Sequence, residues 1–317
     1  MKSRPASHSF SADPLYSDSR HCDLGSGKLH TPILLALWKK RTIWKLAQIT
    51  GRLWYRADSR HRRIAMRNLE LAFGDELTET ERETICRKTF IHLACVLLEF
   101  PCLFYIDADD VDRLITFSGL DNVYAAMEKG TGVLGMTSHF GNWELMALAF
   151  SLRFWPFNII VRPLDNHVLN RLVDGVRSRG GNRTIPKSGS VRTILRLLRQ
   201  NEPVTMLIDQ NVDWYEGVFV SFFKEIACTS KALATLALRT GVPVIPIYNF
   251  RRSDGRYEVV FEPEVQLIRT GNSLLSDIEE NTALFNRIIE SYVRKHPEQW
   301  FWLHQRWKTR PFEPWPR

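Results

Sequence analysis

Three things are scarce in this chain. Cysteine is the first: five residues, Cys22, Cys86, Cys95, Cys102 and Cys228, an odd number with no C-x-x-C spacing. That excludes a readable disulfide framework or zinc site and fits a reducing, cytosol-facing compartment. Long apolar runs are the second. Crossing a bilayer takes about 20 mostly apolar residues in a row, and the best run, starting at Ile33, meets Lys39, Lys40, Arg41 and Lys45. Residues 1–30 are polar, lack the apolar core of a secretory signal, and read as a flexible tail. Ordered glycine is the third. There is no nucleotide-binding glycine loop, no metal cluster, no cofactor lysine signature and no G-x-S-x-G nucleophile elbow. The expectation is a reaction without metal or cofactor. A hydrophobic content of 44% and a charged content of 25% exclude wholesale disorder and a polytopic membrane protein.

What is present is unevenly spread. The net charge of +8 belongs to the first 75 residues, which hold 14 Lys and Arg against 6 Asp and Glu; residues 76–317 hold 29 of each. Such asymmetry points to an anionic surface, membrane or nucleic acid, unless it is simply a solvated basic face. Nucleic acid is disfavoured, because the body is neutral and shows neither zinc-finger spacing nor an RNA-binding aromatic pattern. At 100° per residue from Ile43, residues Trp44, Leu46, Ala47, Ile49, Leu53 and Trp54 fall on one side, and Lys45, Gln48, Arg52 and Arg56 on the other. This is the pattern of a helix lying in an anionic membrane surface, or of one packed on its own protein with its charges in water. We therefore expect a tail (1–30), a basic amphipathic membrane-associating segment (31–58) and a single α/β domain (59–317).

A second helix is expected over 59–73, and a third from Thr78, where Thr78 and Glu81 have capping-box spacing. From about residue 115 short apolar runs alternate with amphipathic stretches. Strands are expected at 133–137, 157–162, 184–186, 204–209, 242–248 and 257–261, with a turn at 253–255. Helices are expected at 141–153, 167–179, 191–199, 229–239 (closed by Gly241) and 276–295. The alternation implies a mixed, mainly parallel sheet flanked by helices, with a helical N-terminal portion. Ligands of such sheets sit beyond the strands' carboxyl ends. Ser138, His139, Arg162, Asp209, Gln210 and Asn249 follow expected strands and are the first candidates for chemistry.

The segment Thr137-Ser138-His139-Phe140-Gly141-Asn142-Trp143-Glu144 is the most informative. Gly141 permits a tight turn, Asn142 suits a helix N-cap, and Glu144 falls in the first helical turn. From there a carboxylate can reach back to the His139 imidazole, fix its tautomer and stabilise the cation formed when it takes a proton from an alcohol. The helix N-terminus offers free N–H groups near a developing oxyanion. The same residues also suit a merely structural strand end, so the spacing alone does not choose.

The six-residue run "HFGNWE" resembles the catalytic block of the lipid A biosynthesis acyltransferases, the lauroyl and myristoyl transferases of lipopolysaccharide assembly, relatives of the glycerol-phosphate acyltransferase fold. The resemblance covers about residues 32–312. It includes "RRIAMRNLELAF" (62–73), "GVLGMTSHFGNWE" (132–144), "VRPLDN" (161–166), "IDQN" (208–211), "SFFKEIACTSKALATLALRTGVPVIP" (221–246) and "HPEQWFWLHQRWKTRP" (296–311). It implies transfer of a fatty acyl group from a thioester, on acyl carrier protein or coenzyme A, to a hydroxyl of a lipid A precursor or another glycolipid or aminolipid, at the cytoplasmic face of the inner membrane. His139 would be the general base and Glu144 its partner. Arg162 would hold a phosphate or polarise the thioester, Asp209 would position the site, and Asn142 would shape the turn or donate to the oxyanion. Arg306 and Arg310 read as structural ion-pairing residues. An acidic carrier protein is expected to meet a basic surface, for which Arg177, Arg179, Arg183, Lys187, Arg192, Arg196 and Arg199 are candidates. Lys224 stands where the family usually has Gly after its paired Phe, in a loop expected near the substrate channel.

Overall fold

The computed structural model describes residues 42–311; the expected tail and residues 31–41 of the basic segment lie outside them. Helix α1 (Thr42–Ala57) packs antiparallel on α3 (Glu79–Glu99), with α2 (Ser59–Phe73) between them in sequence. The packing explains the composition of α1. Ile43, Ala47 and Gly51 are buried, and a Cβ on Gly51 would fall 2.5 Å from the Ile91 Cα, so only glycine permits this approach. Leu46, Ile49 and Leu53 stay exposed. The apolar side expected for this helix is thus divided, one edge inside the protein and one facing out. Thr78 caps α3 in the expected capping box with Glu81.

After α4 (Ala108–Leu114) the chain enters the α/β body. Its elements are β1 (Ile115–Ser118), α5 (Leu120–Glu128), β2 (Val133–Thr137), α6 (Trp143–Arg153), β3 (Asn158–Val161), α7 (His167–Ser178), β4 (Arg183–Pro186), α8 (Val191–Arg199) and β5 (Pro203–Leu207). There follow β6 (Gly217–Phe222), β7 (Glu225–Ser230), α9 (Ala232–Thr240), β8 (Val244–Arg251), β9 (Tyr257–Phe261) and α10 (Leu274–Lys295). Seven strands form one sheet in the order β1-β9-β8-β2-β5-β3-β4, and every pairing is parallel except β8 with β9. The expected α/β class and mainly parallel sheet are therefore present.

Two elements differ from expectation. Strands β6 and β7 form a separate antiparallel hairpin, and its second strand occupies 225–230, so the helix expected from residue 229 starts only at Ala232. Gly241 closes that helix in the left-handed conformation as anticipated. Lys224 stands in the hairpin turn. Its ammonium reaches Glu76 at 3.1 Å and the Phe73 carbonyl at 3.2 Å, docking the hairpin on the end of α2.

Alternate strand residues feed two cores. Leu134, Met136, Val204 and Met206 join the hairpin, α2, α9, α10 and the C-terminal tryptophans on one face. Val133, Ile159 and Ile245 join α1, α5 and α6 on the other.

Candidate active site

Between β2 and α6 the chain makes a turn held from several sides. Gly141 has φ +63°, and a Cβ there would lie 2.1 Å from both the backbone oxygen and Oδ1 of Asn249. Its carbonyl faces His92 Nε2 at 3.1 Å, its N–H donates to the Gln299 carbonyl, and the His139 carbonyl accepts from the Phe301 N–H. Burial drives the His92 imidazole down to about 4, so it is neutral at pH 7 and serves as a donor. Asn249, expected at the rim, is buried within β8 and donates to the Asn142 carbonyl at 2.6 Å. The C-terminal segment thus clamps the turn that carries the imidazole.

His139 meets Asp209. The imidazole Nδ1 lies 2.9 Å from Asp209 Oδ1, and the His139 N–H donates to Oδ2 at 3.0 Å. The Trp300 indole N–H adds a third bond to Oδ2 at 2.8 Å. Asp209 is 2% exposed. Burial alone would raise its carboxyl, but the His139 ring, the backbone N–H and the indole outweigh it and hold the carboxyl below its usual range. An ionised carboxylate at Nδ1 fixes the proton there and leaves Nε2 with its lone pair. Gln210 Nε2 stands 3.4 Å from that nitrogen, and the rings of Trp143 and Phe301 flank the imidazole at 5.1 and 6.2 Å.

Glu144 is elsewhere, which corrects the role expected for it. Its two oxygens form a forked pair with Arg177, Nε to Oε2 at 2.8 Å and Nη2 to Oε1 at 2.5 Å, and Oε1 also accepts from the Trp143 indole at 3.2 Å. The carboxylate in contact with the imidazole is that of Asp209, 2.9 Å from Nδ1. Burial lowers the Arg177 guanidinium, but Glu144 more than offsets this and its affinity for the proton is raised. Asn142 caps α6 through Oδ1 to the Leu145 N–H at 3.1 Å, and its Nδ2 donates to the fully buried Glu99 at 3.0 Å. Of its two expected roles, shaping the turn is the one its bonds serve. Glu99 in turn pairs with Arg251 and accepts from Tyr257 at 2.6 Å.

Arg162 is not brought to this rim. Its side chain is 83% exposed and among the described residues pairs with Asp165 at 3.8 Å; a cation that does lie beside the site is Arg177. The rest of the expected basic surface is largely spoken for. Arg179 bonds the carbonyls of Leu103 and Ile106, Arg183 pairs with Glu202 and Lys187 with Glu216. Arg192, Arg196 and Arg199 remain exposed on α8. Arg306 is structural, though not through an ion pair: it is fully buried and donates to the Cys228 carbonyl and the Thr229 hydroxyl. The sequence does not mark Trp300 as a site residue, and it offers Arg177 only as part of a carrier-facing surface. The first lay within the C-terminal block, but its indole bond to Asp209 has no spacing signature.

Beside the dyad lies a mostly apolar cavity between the sheet and α6. Thr137, Leu207, Trp143, Glu144 and Arg177 line it at the carboxyl end of the strands. Below them come Gly135, Thr205 and Ala147, and at the far end Val133, Pro203, Phe157 and Trp155. The register pairs Val133 with Pro203, Gly135 with Thr205 and Thr137 with Leu207, so these residues stack as layers. Gly135 supplies room, since a Cβ there would meet the Thr205 hydroxyl at 2.5 Å.

A strand-end imidazole held by a buried carboxylate, near a mostly apolar cavity, suits an enzyme that moves acyl chains. Known proteins give the same class and narrow it. Residues 32–309 match the family described as bacterial lipid A biosynthesis acyltransferase, and the chain belongs to that family. It is an acyltransferase. It is 28% identical over 271 residues to the lipid A biosynthesis lauroyltransferase of Escherichia coli (strain K12), covering 85% of this chain and 86% of that one. It is 29% identical over 257 residues to the palmitoleoyltransferase of the same organism, covering 80% of each. A phosphatidylinositol mannoside acyltransferase of Mycolicibacterium smegmatis is 24% identical over 192 residues, 59% of this chain and 60% of that one.

Proposed function

We propose that this enzyme transfers a fatty acyl group from an acyl carrier protein thioester to a hydroxyl of a lipid A precursor, with His139 as general base oriented by Asp209. The observation that carries the reading is the 2.9 Å contact of His139 Nδ1 with a buried, ionised Asp209 beside an apolar cavity. His139 Nε2 takes the proton of the acceptor hydroxyl as its oxygen attacks the thioester carbonyl carbon. The first-turn N–H groups of α6 stabilise the oxyanion. The tetrahedral intermediate expels the thiolate, which leaves with the proton returned from Nε2. A thioester is already activated, so no enzyme nucleophile is needed. Glu144 and Arg177 act as a paired wall at the mouth of the acyl cavity.

The cavity is the seat we assign to the donor's acyl chain, since its lining is mostly apolar and an aliphatic chain is best kept from water.

Among the described residues no helix is long and apolar enough to cross a membrane. The exposed Leu46, Ile49 and Leu53 of α1 support peripheral or monotopic attachment at the cytoplasmic face of the inner membrane. The similarity to the mannoside acyltransferase supports a second reading, a different glycolipid acceptor served by the same site. Lipid mass spectra of a deletion strain separate the two, since altered lipid A chains favour the first. The direct test is acyl transfer in vitro from acyl carrier protein to a lipid A precursor. Wild type should transfer, and His139→Ala should lose at least about a hundredfold. Inactive wild type, or a folded His139→Ala near wild-type turnover, overturns the proposal.

A further inference from the structure

A second concave surface lies on the other side of the sheet from the acyl cavity. Its walls are α2 and the C-terminal segment, and they carry Arg60, Arg63, Arg67, Lys308, Arg310 and Trp307. The arginines recur along one stripe of α2 at helical spacing, while Ala65, Leu69 and Ala72 of the same helix are buried. Among the described residues only Arg67 of these cations has a carboxylate partner, Glu70 at 2.8 Å. Trp307 is 7% exposed, and its indole N–H has no acceptor among the described residues. A cleft with several unneutralised cations and an unmet donor in its wall favours an anion.

The cleft is coupled to the dyad. Asn211, two residues after Asp209, donates its N–H to His304 Nε2 at 2.9 Å and its side-chain amide to the Thr309 hydroxyl at 2.9 Å; Thr309 N–H returns a bond to Asn211 Oδ1. The loop carrying Trp307 and Lys308 is therefore pinned at both ends to the segment after β5 that bears Asp209.

We propose that this cleft binds the phosphate-bearing headgroup of the acceptor glycolipid, so that the acceptor and the donor chain approach His139 from opposite faces of the sheet. The inference rests on the acyl-transfer reading above. Guanidinium forks match phosphate oxygens in pairs, and a concave pocket suits a compact headgroup better than the convex surface of a folded carrier protein. The exposed Arg192, Arg196 and Arg199 on the outer side of α8 suit the latter. The outward leucines of α1 immediately precede α2 in the chain, which places a lipid-facing helix next to a headgroup cleft.

The test uses the full-length enzyme and the triple variant Arg63→Gln, Lys308→Gln, Arg310→Gln, all exposed positions. The probe for binding is a short-chain, water-soluble phosphorylated glucosamine disaccharide, compared by calorimetry with its phosphatase-treated form. We expect wild type to bind the phosphorylated probe alone, and the variant to bind it at least about tenfold more weakly, one lost charge-assisted contact being enough for that factor. The acceptor KM should rise by the same factor, while the carrier-protein KM moves less than about twofold. A rise in the carrier-protein KM instead would make the cleft a protein dock and overturn the proposal. Equal binding by both proteins, or equal binding of both probes, overturns it as well. Wild type that binds the probe but transfers no acyl chain to a glycolipid leaves the anion site standing and removes the acyl-transfer reading.

Discussion

Alternate residues of β2 look into chemically opposite places. Val133, Gly135 and Thr137 line a mostly apolar cavity, whereas Leu134 and Met136 lie in a filled core whose outer wall carries the cationic cleft. The cavity exists because its middle layer is small, Gly135 and Ala147 against Thr205. The other face is filled by large rings, with Trp300 and Trp302 at 4.6 Å and Phe222 and Trp300 at 5.5 Å. An aliphatic chain needs no bonding partner and is best kept from water, so its site can be a closed slot. A phosphate keeps part of its hydration and needs several fixed donors, so its site is open and lined by cations. His139 stands on the turn between β2 and α6, and Asp209 meets it from the loop after β5.

Gly141→Ala attacks that meeting point and should have the largest effect. The new Cβ cannot coexist with Asn249 at 2.1 Å, so the turn must move. A displacement of about 1 Å at the reacting groups costs about a hundredfold in turnover, and steady-state kinetics with both substrates should show it. A variant within threefold of wild type would mean the turn does not position the imidazole. Next in size is Ala147→Leu, which fills the cavity and leaves the cleft untouched. Overpacking costs about 1–3 kcal/mol, so activity with long-chain donors should fall by about tenfold or more. Clearly shorter donors should be retained, and the acceptor KM should stay put. A donor profile unchanged in shape would show that acyl chains lie elsewhere.

The two sides also share a weakness to acid. His92, at the Gly141 carbonyl, and His304, which accepts the Asn211 N–H, are both driven by burial down to about 4. Their folded values lie below the unfolded value near 6.5, so in that interval the unfolded chain binds more protons. Their contribution to stability is complete above about pH 6.5 and declines as pH falls toward about 4. At 1.36 kcal/mol per unit, His92 alone accounts for about 3 kcal/mol over that range. The depressed Asp209 adds its loss only further down, below the usual carboxylate range. Denaturant unfolding at pH 7, 6 and 5 should show a steady loss, and a flat profile would contradict the buried neutral state of both rings. The smallest effect belongs to Lys224→Gly. It removes a half-exposed pair with Glu76, neither residue of which lines the cavity or the cleft, so donor and acceptor kinetics should change less than about twofold.

Much of this architecture was legible in the residues. The apolar run 133–137 and the amphipathic run 191–199 coincide with β2 and α8, because both are strongly patterned and well bounded. The β6–β7 hairpin was not seen. Its Phe222-Phe223-Lys224-Glu225 turn has none of the glycine or asparagine that marks tight hairpins, and Phe223 takes φ +55° without being glycine. His139 and Asp209 could both be found as polar residues after strands, but their pairing could not. Sequence proximity favoured Glu144, five residues away. The register of β2 on β5, which sets Thr137 opposite Leu207, brings His139 level with Asp209 instead, and only strand order reveals that. Arg162 followed a strand too, yet β3 lies one strand further out, and its side chain turns to solvent.

The central claim is that Asp209, and not Glu144, is the partner of the His139 imidazole. Single-turnover acyl transfer by Asp209→Asn and Glu144→Gln, each first shown to be folded, tests it most directly. The account predicts that Asp209→Asn slows the chemical step by at least about a hundredfold, and by at least ten times more than Glu144→Gln, whose defect should appear mainly in the donor KM. A near-normal chemical step in Asp209→Asn, with Glu144→Gln abolishing it, would contradict the account.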